Sequence, residues 1–185
     1  MPPRFYAGIG SRGTPLPIRQ RMRALAGDLA RKGFTLRSGN AEGADWSFQE
    51  GAGAVKGNVH IFLPWSTFNG GCIAFGPNTK WWLHPSEKAV ALAGTMHPAW
   101  HLCERPARAL HGRNMQQVLG PALDSPVEFV VCWTPDGAES EEECSRATGG
   151  TGMAIRLASR RDIPIFNLYH PEAESDLREQ LGLRG

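Results

Sequence analysis

A chain of 185 residues, 41% hydrophobic and 21% charged, is expected to form one globular domain over 1–185, large enough to bury a core. Its formal net charge of +2 is too small to announce a nucleic-acid protein, although basic residues cluster between Arg4 and Arg37. No apolar run approaches the roughly 20 residues that cross a bilayer, so no membrane partner is expected. Cys72, Cys103, Cys132 and Cys144 have no C-x-x-C spacing and no secretory segment ahead of them, which points to reduced thiols in a cytoplasm.

Phe5-Tyr6-Ala7-Gly8-Ile9 reads as a first strand, broken by Gly10-Ser11-Arg12-Gly13-Thr14-Pro15. From Pro17, the residues Ile18, Met22, Leu25 and Leu29 recur at helical spacing, and Gly33 is a natural stop. Arg19, Arg21, Arg23 and Lys32 lie elsewhere on that wheel, where a solvated face is the ordinary reading. Gly33-Phe34-Thr35-Leu36 is a second short strand.

The stretch Arg37-Ser38-Gly39-Asn40-Ala41-Glu42-Gly43-Ala44-Asp45 then breaks from strand into helix through small residues. Gly39 and Gly43 let backbone approach a ligand, and Ser38 and Asn40 can hydrogen-bond the turn or the ligand. A helix beginning near Ala44 aims free N–H groups and its positive dipole end into the same space, which favours an anion such as phosphate. Asp45, near that helix start, is placed to cap it, to orient Arg12 or to meet a ribose hydroxyl. An ordinary tight strand-to-helix connection is the plain alternative.

Asn58-Val59-His60-Ile61-Phe62-Leu63 makes a third strand ended by Pro64, and the alternation of strand and helix demands a parallel sheet. From about 65 to 85 the pattern dissolves into a long loop insertion carrying Phe68, Phe75, Trp81 and Trp82; its tryptophans could stack on a base, and packing of the loop against the body is the ordinary alternative. Glu87 to His101 reads as a helix capped by Ser86, and Pro106 to Leu119 as another, stopped by Gly120-Pro121. Val127 to Trp133 is the most strand-like run and belongs at the centre of the sheet.

Thr134 to Thr148 is a polar loop whose Glu139, Glu141, Glu142 and Glu143 lack metal-ligand spacing, so no bound metal is expected. Thr148-Gly149-Gly150-Thr151-Gly152 is a second glycine-rich helix start, leading into Met153 to Ala158. The Thr151 hydroxyl and the first-turn amides there complement a phosphate. Asp162 to Leu168 is a fifth strand and Glu172 to Leu181 a closing helix. The fold class is α/β: a Rossmann-like three-layer domain with a mainly parallel sheet of about five or more strands flanked by helices. In such a fold, loops at the carboxyl ends of the strands converge on one crevice, so the two glycine bends are expected to share a ligand.

Tyr6 to Arg12, Arg37 to Asp45, His111-Gly112-Arg113-Asn114 and Gly149 to Gly152 resemble, in that order, the SLOG superfamily of Rossmann-like nucleotide-binding proteins. The first half is similar to the DNA-processing protein DprA (Smf), with its Gly-Ser-Arg and Ser-Gly-x-Ala-x-Gly-x-Asp patterns and an Arg-Asn pair. The second half resembles the LOG-type phosphoribohydrolases. The whole-chain likeness is to small phage and prophage proteins of that superfamily.

The resemblance implies a nucleotide-like small molecule as partner: a phosphorylated nucleoside, an ADP-ribose-like compound or a cyclic nucleotide. Gly10, Ser11 and Arg12 would line the first loop, and Ser38, Gly39, Asn40, Gly43 and Asp45 the second. Arg113 and Asn114, with Gly149, Gly150, Thr151 and Gly152, would grip phosphate. No other cofactor is implied. A homo-oligomer is implied as well, with the helices from Glu87 to Leu119 as its surface. In a phage setting such a binder would work in the host cytoplasm as an anti-defence protein that sequesters a signal.

Two alternatives follow from the same likeness. One is nucleotide N-glycosidase activity, but LOG-type enzymes place glutamates where this chain has Ile155 and Arg156. Its carboxylate would have to come from Glu42 or the acidic loop. The other is DprA-like binding of single-stranded DNA through Arg12, Arg37 and the arginines of the first helix.

Overall fold

Apolar residues alternate along the central strands so that each face of one sheet receives its own layer of helices. The computed structural model describes residues 2–183. The strands are β1 (Arg4–Gly8), β2 (Phe34–Ser38), β3 (Val59–Phe62), β4 (Thr79–Trp82), β5 (Phe129–Cys132) and β6 (Ile165–Asn167). They form a six-stranded sheet in the order β4-β3-β2-β1-β5-β6, with every neighbouring pair parallel. The helices are α1 (Leu16–Arg31), α2 (Ala44–Ala54), α3 (Glu87–Met96), α4 (Arg105–Leu119), α5 (Gly152–Arg160) and α6 (Ala173–Leu181).

Tyr6 of β1 and Phe129 and Val131 of β5 join Met22, Leu25 and Leu29 of α1, Phe48 of α2 and Leu177 of α6 in one apolar layer. Their sequence neighbours Ala7, Val130 and Cys132 point to the other face, against Ala89 and Ala93 of α3, Met115 and Val118 of α4, and Ile155 and Ala158 of α5. A period of two in the strands thus builds the three-layer α/β architecture. The chain steps outward from β1 to β4 and returns to place β5 beside β1, which creates a switch in strand order at that pair.

Two stretches differ from the sequence reading. The expected loop from 65 to 85 contains β4, paired to β3 from Val59↔Thr79 to Phe62↔Trp82. Four residues beside Pro77-Asn78 and His84-Pro85 carry too little periodicity to announce a strand, and pairing to β3 supplies what the sequence lacks. Trp82 stacks on Phe62 with ring centroids 4.7 Å apart, so packing against the body is its role here. The helix expected over Glu87 to His101 stops at Met96, because His97 precedes Pro98 and is held extended at φ −78°, ψ 122°. A short 3-10 turn, Trp100–Leu102, follows. The Ser86 hydroxyl accepts the Ala89 amide at 3.2 Å, capping α3.

Candidate functional site

The carboxyl ends of β1 and β5 are tied together where the Ser11 amide donates to the Trp133 carbonyl at 3.1 Å. A crevice of about 470 Å³ opens at this switch in strand order, where open α/β sheets hold ligands. It is lined by Gly10, Ser11 and Arg12 after β1, by Ala41 and Asp45, by His111, Arg113, Asn114 and Gln117 of α4, and by Thr148 to Thr151.

The glycine turn before α5 is built from outside inward. Asp136 accepts bonds from the Ser145 and Thr148 hydroxyls, and Thr148 Oγ1 accepts the Ser145 amide at 2.8 Å. Partial burial works to raise the Asp136 carboxyl, but the hydrogen bonds from Ser145, Thr148 and Thr134 override it and hold the group well below the usual carboxylate range. Asn114 Nδ2 donates to the Gly150 carbonyl at 2.8 Å and so fastens the turn to α4. Gly149 and Gly150 are exposed, and no side chain caps the start of α5. The Gly152 amide is spent on the Gly149 carbonyl, so the part that faces the crevice is the turn from Gly149 to Thr151, with the positive end of the α5 dipole behind it. Gly152 is buried at the helix start and does not line the cavity.

The other bend turns its polar groups inward. Ser38 Oγ donates to the Gly8 carbonyl at 2.7 Å, and Asn40 Nδ2 donates to the carbonyls of Phe68 and Gly71 at 3.2 Å each. Ser38, Gly39, Asn40 and Gly43 are absent from the cavity wall, which takes Ala41 and Asp45 from this bend instead. Asp45 Oδ2 accepts the amides of Gly39 and Ala41 at 3.1 Å each and lies 3.7 Å from Arg113 Nη1. Its charge partner is thus Arg113. Burial pushes the Asp45 carboxyl up to about 6, against the pull of Arg113 and of the Ala41, Gly39 and Gly10 amides.

Arg113 is 6% exposed and donates from Nη1 to the Gly39 carbonyl at 2.6 Å, which bridges α4 to the bend. Burial lowers its affinity for the proton and Asp45 opposes that shift. Arg12 is exposed at the rim, its guanidinium 5.8 Å from the centre of the Phe68 ring. Two wall residues lie outside the expected ligand set: His111, present only as part of its motif, and Gln117. Ala107, Leu110, His111 and Asn114 follow i, i+3, i+4, i+7 spacing on α4, and Gln117 lies one turn beyond Arg113, so helical periodicity from the Arg-Asn pair would have found both. Burial and the neighbouring His97 and Arg113 lower His111 to about 4.

Most groups on which the alternatives drew are occupied elsewhere or lie off the crevice. Arg37 is 1% exposed and donates to the Ser125 carbonyl and hydroxyl on the way into β5. On α1, Arg21 pairs with Glu174, Arg23 with Glu50 and Arg31 with Asp28. Glu42 is exposed and outside the cavity wall. In the acidic loop Glu139 accepts the Asn167 amide, Glu141 pairs with Arg160 and Arg156, and Glu143 accepts the Glu139 amide. Asp45 is the carboxylate in the wall of the crevice.

The fold and the position of the crevice define a Rossmann-like three-layer α/β protein with an all-parallel six-stranded sheet. The same fold is seen in DNA processing protein A from Helicobacter pylori, a structure solved for its single-stranded DNA binding mode. That match has a TM-score of 0.56 at 18% identity, over 99% of this chain and 74% of that one. The Moco carrier protein of Chlamydomonas rheinhardtii is similar with a TM-score of 0.50 at 14% identity, over 97% of this chain and 85% of the other. No protein-family model matches the chain, and no curated protein matches it. No helix among the described residues is long and apolar enough to cross a membrane.

Proposed function

We propose that the crevice binds a phosphorylated, nucleotide-derived small molecule. The observation that carries this reading is the convergence of Arg12, Arg113 and the glycine turn before α5 on one cavity of about 470 Å³, a volume suited to a small ligand. The turn from Gly149 to Thr151, backed by the α5 dipole, would take the phosphate, and Arg12 would close over it from the rim. Asn114 acts by holding Gly150 in place, and Ser38, Gly39, Asn40 and Gly43 act by bracing the bend that positions Asp45 and Arg113. Sequestration of a nucleotide signal, as phage proteins of this type would perform it, needs only such binding.

Isothermal calorimetry with nucleoside monophosphates, ADP-ribose and cyclic nucleotides tests the reading. One of these ligands is expected to bind with 1:1 stoichiometry and to lose affinity in Arg12→Ala. Silence from the whole panel at high micromolar concentration would defeat it.

The likeness to a protein solved for its single-stranded DNA binding favours a second reading, in which the Arg12 rim follows a phosphate backbone. Pairing of Arg21, Arg23 and Arg31 on α1 leaves that surface less basic than the sequence suggests. An oligonucleotide affinity that falls steeply with added salt would support this reading, and no mobility shift at low salt would end it.

A further inference from the structure

We propose that His97, Cys103 and His111 form a binding site for a divalent metal ion of the zinc class at the corner between α3 and α4. Pro98 turns the chain after α3, and the Trp100–Leu102 turn folds it back so that Cys103 meets His97, six residues earlier. Two turns into α4, His111 brings its ring to 4.6 Å from the His97 ring, centroid to centroid. One ligand atom from each of the three residues falls within 4.8 Å of the other two. All three are half-buried, which shields a site while leaving an entry path.

The spacing matches the chemistry. Zinc–sulfur bonds of about 2.3 Å and zinc–nitrogen bonds of about 2.0 Å put tetrahedral ligand atoms roughly 3.3–3.5 Å apart. Cys103 Sγ already lies 3.7 Å from His97 Nδ1 and 3.8 Å from Nε2. The widest pair needs about 1.5 Å of side-chain adjustment to reach the same edge length. A further sign is that His111 Nδ1 is buried with no hydrogen-bond partner among the described residues, a cost that a metal–nitrogen bond removes.

Loading has an identifiable cost, since His97 Nδ1 accepts the Ala99 amide at 3.2 Å and the ring must release that bond or turn its other nitrogen to the ion. The Cys103 thiol loses its proton to solvent as the sulfur–metal bond forms. The thiolate suits the site, because Arg108 and Arg113 on the same helix disfavour a cation held by neutral ligands alone. One soft thiolate and two imidazoles select zinc-like ions over magnesium or calcium, and water takes the fourth position. The ion would clamp the first half of α4 to the end of α3, two and three residues before Arg113 and Asn114.

The test uses the full chain, reduced, stripped with a chelator and titrated with Co²⁺. One equivalent is expected to bind, with the visible absorption of tetrahedral cobalt and a near-ultraviolet sulfur-to-cobalt charge-transfer band, both abolished by Zn²⁺. Cys103→Ser should remove the charge-transfer band while Cys72→Ser and Cys144→Ser keep it. Zinc at a hundredfold excess over its Kd should raise the Tm by about 5–10 °C. If Cys103→Ser fails to fold, His97→Gln serves, and is expected to weaken cobalt affinity at least about tenfold. Absence of cobalt absorption in the parent chain, a band that survives Cys103→Ser, a band lost with Cys72 or Cys144, or uptake of copper alone would each overturn the assignment.

Discussion

In the bend from Ser38 to Asp45, a Cβ added at Gly39 would lie 1.5 Å from Arg113 Nη1, whereas at Gly150 it would meet no heavy atom within 4 Å. The first bend is packed, hydrogen-bonded and buried; the second is open to the cavity. Both are rich in glycine and hydroxyl or small residues ahead of a helix, and on sequence the same argument points both to phosphate. The contrast teaches that a glycine-rich strand-to-helix turn has two distinct uses. In one, missing side chains admit the protein's own groups, here an arginine from α4; in the other, they leave room for something else.

The largest effect is expected where that contrast is broken. Gly39→Ala must expel the Arg113 guanidinium and leave Asp45 buried without its partner, at a cost of about 3 kcal/mol. A thermal scan should show the Tm falling by about 6–12 °C. An unchanged midpoint would mean that Arg113 does not bridge α4 to this bend. Next is Arg12→Ala, which should weaken ligand binding in calorimetry by about 10- to 100-fold through loss of a charge-assisted hydrogen bond. Its denaturation midpoint should stay within about 0.5 kcal/mol of the parent, as for other surface changes.

Ser38→Ala sharpens the comparison from the other side. Removing the bond to the Gly8 carbonyl should cost about 1–2 kcal/mol in denaturant unfolding and leave ligand affinity unchanged. A loss of affinity at full stability would return Ser38 to the ligand.

A smaller effect follows from pH. The Asp45 carboxyl sits at about 6 in the folded chain against 3.8 as its ordinary value, so the folded state binds this proton more tightly. Asp45 therefore favours folding below about pH 4, and that contribution is lost as the pH rises through about 6. The same ionisation adds negative charge to the crevice wall. ADP-ribose, whose diphosphate does not titrate near neutrality, should bind about three to ten times more tightly at about pH 5 than at about pH 7. Asp45→Asn should flatten that profile in calorimetry. The smallest change belongs to Gly150→Ala, where open space should hold the unfolding free energy within about 0.5 kcal/mol of the parent.

Much of the sheet was legible because strands such as Phe129–Cys132, buried on both faces, read as continuous apolar runs between turn residues. β4 was not, since its identity depends on a partner strand that starts twenty residues earlier. The crevice was legible in outline: Gly10 to Arg12, Arg113, Asn114 and Gly149 to Thr151 all reach its wall. What the sequence could not carry was the direction of each side chain. Ser38 and Asn40 face the interior because Gly8, Phe68 and Gly71 offer carbonyls there, and none of these lies next to them in the chain. The stretch from Arg4 to Arg37 is less basic in the fold than along the chain, because Arg4, Arg21 and Arg37 meet Glu128, Glu174 and Ser125 from far downstream.

The switch in strand order has a consequence for biosynthesis. β1 pairs with β5, whose Tyr6↔Phe129 register joins residues more than a hundred positions apart. On the ribosome, one edge of the innermost strand must therefore wait for its neighbour while α1 to α4 are made, a delay of roughly 6–25 s at common elongation rates. During that interval the nascent amino-terminal half offers bare backbone donors and acceptors to any extended peptide nearby, so chaperone demand should be greatest just before Phe129 to Cys132 leave the exit tunnel.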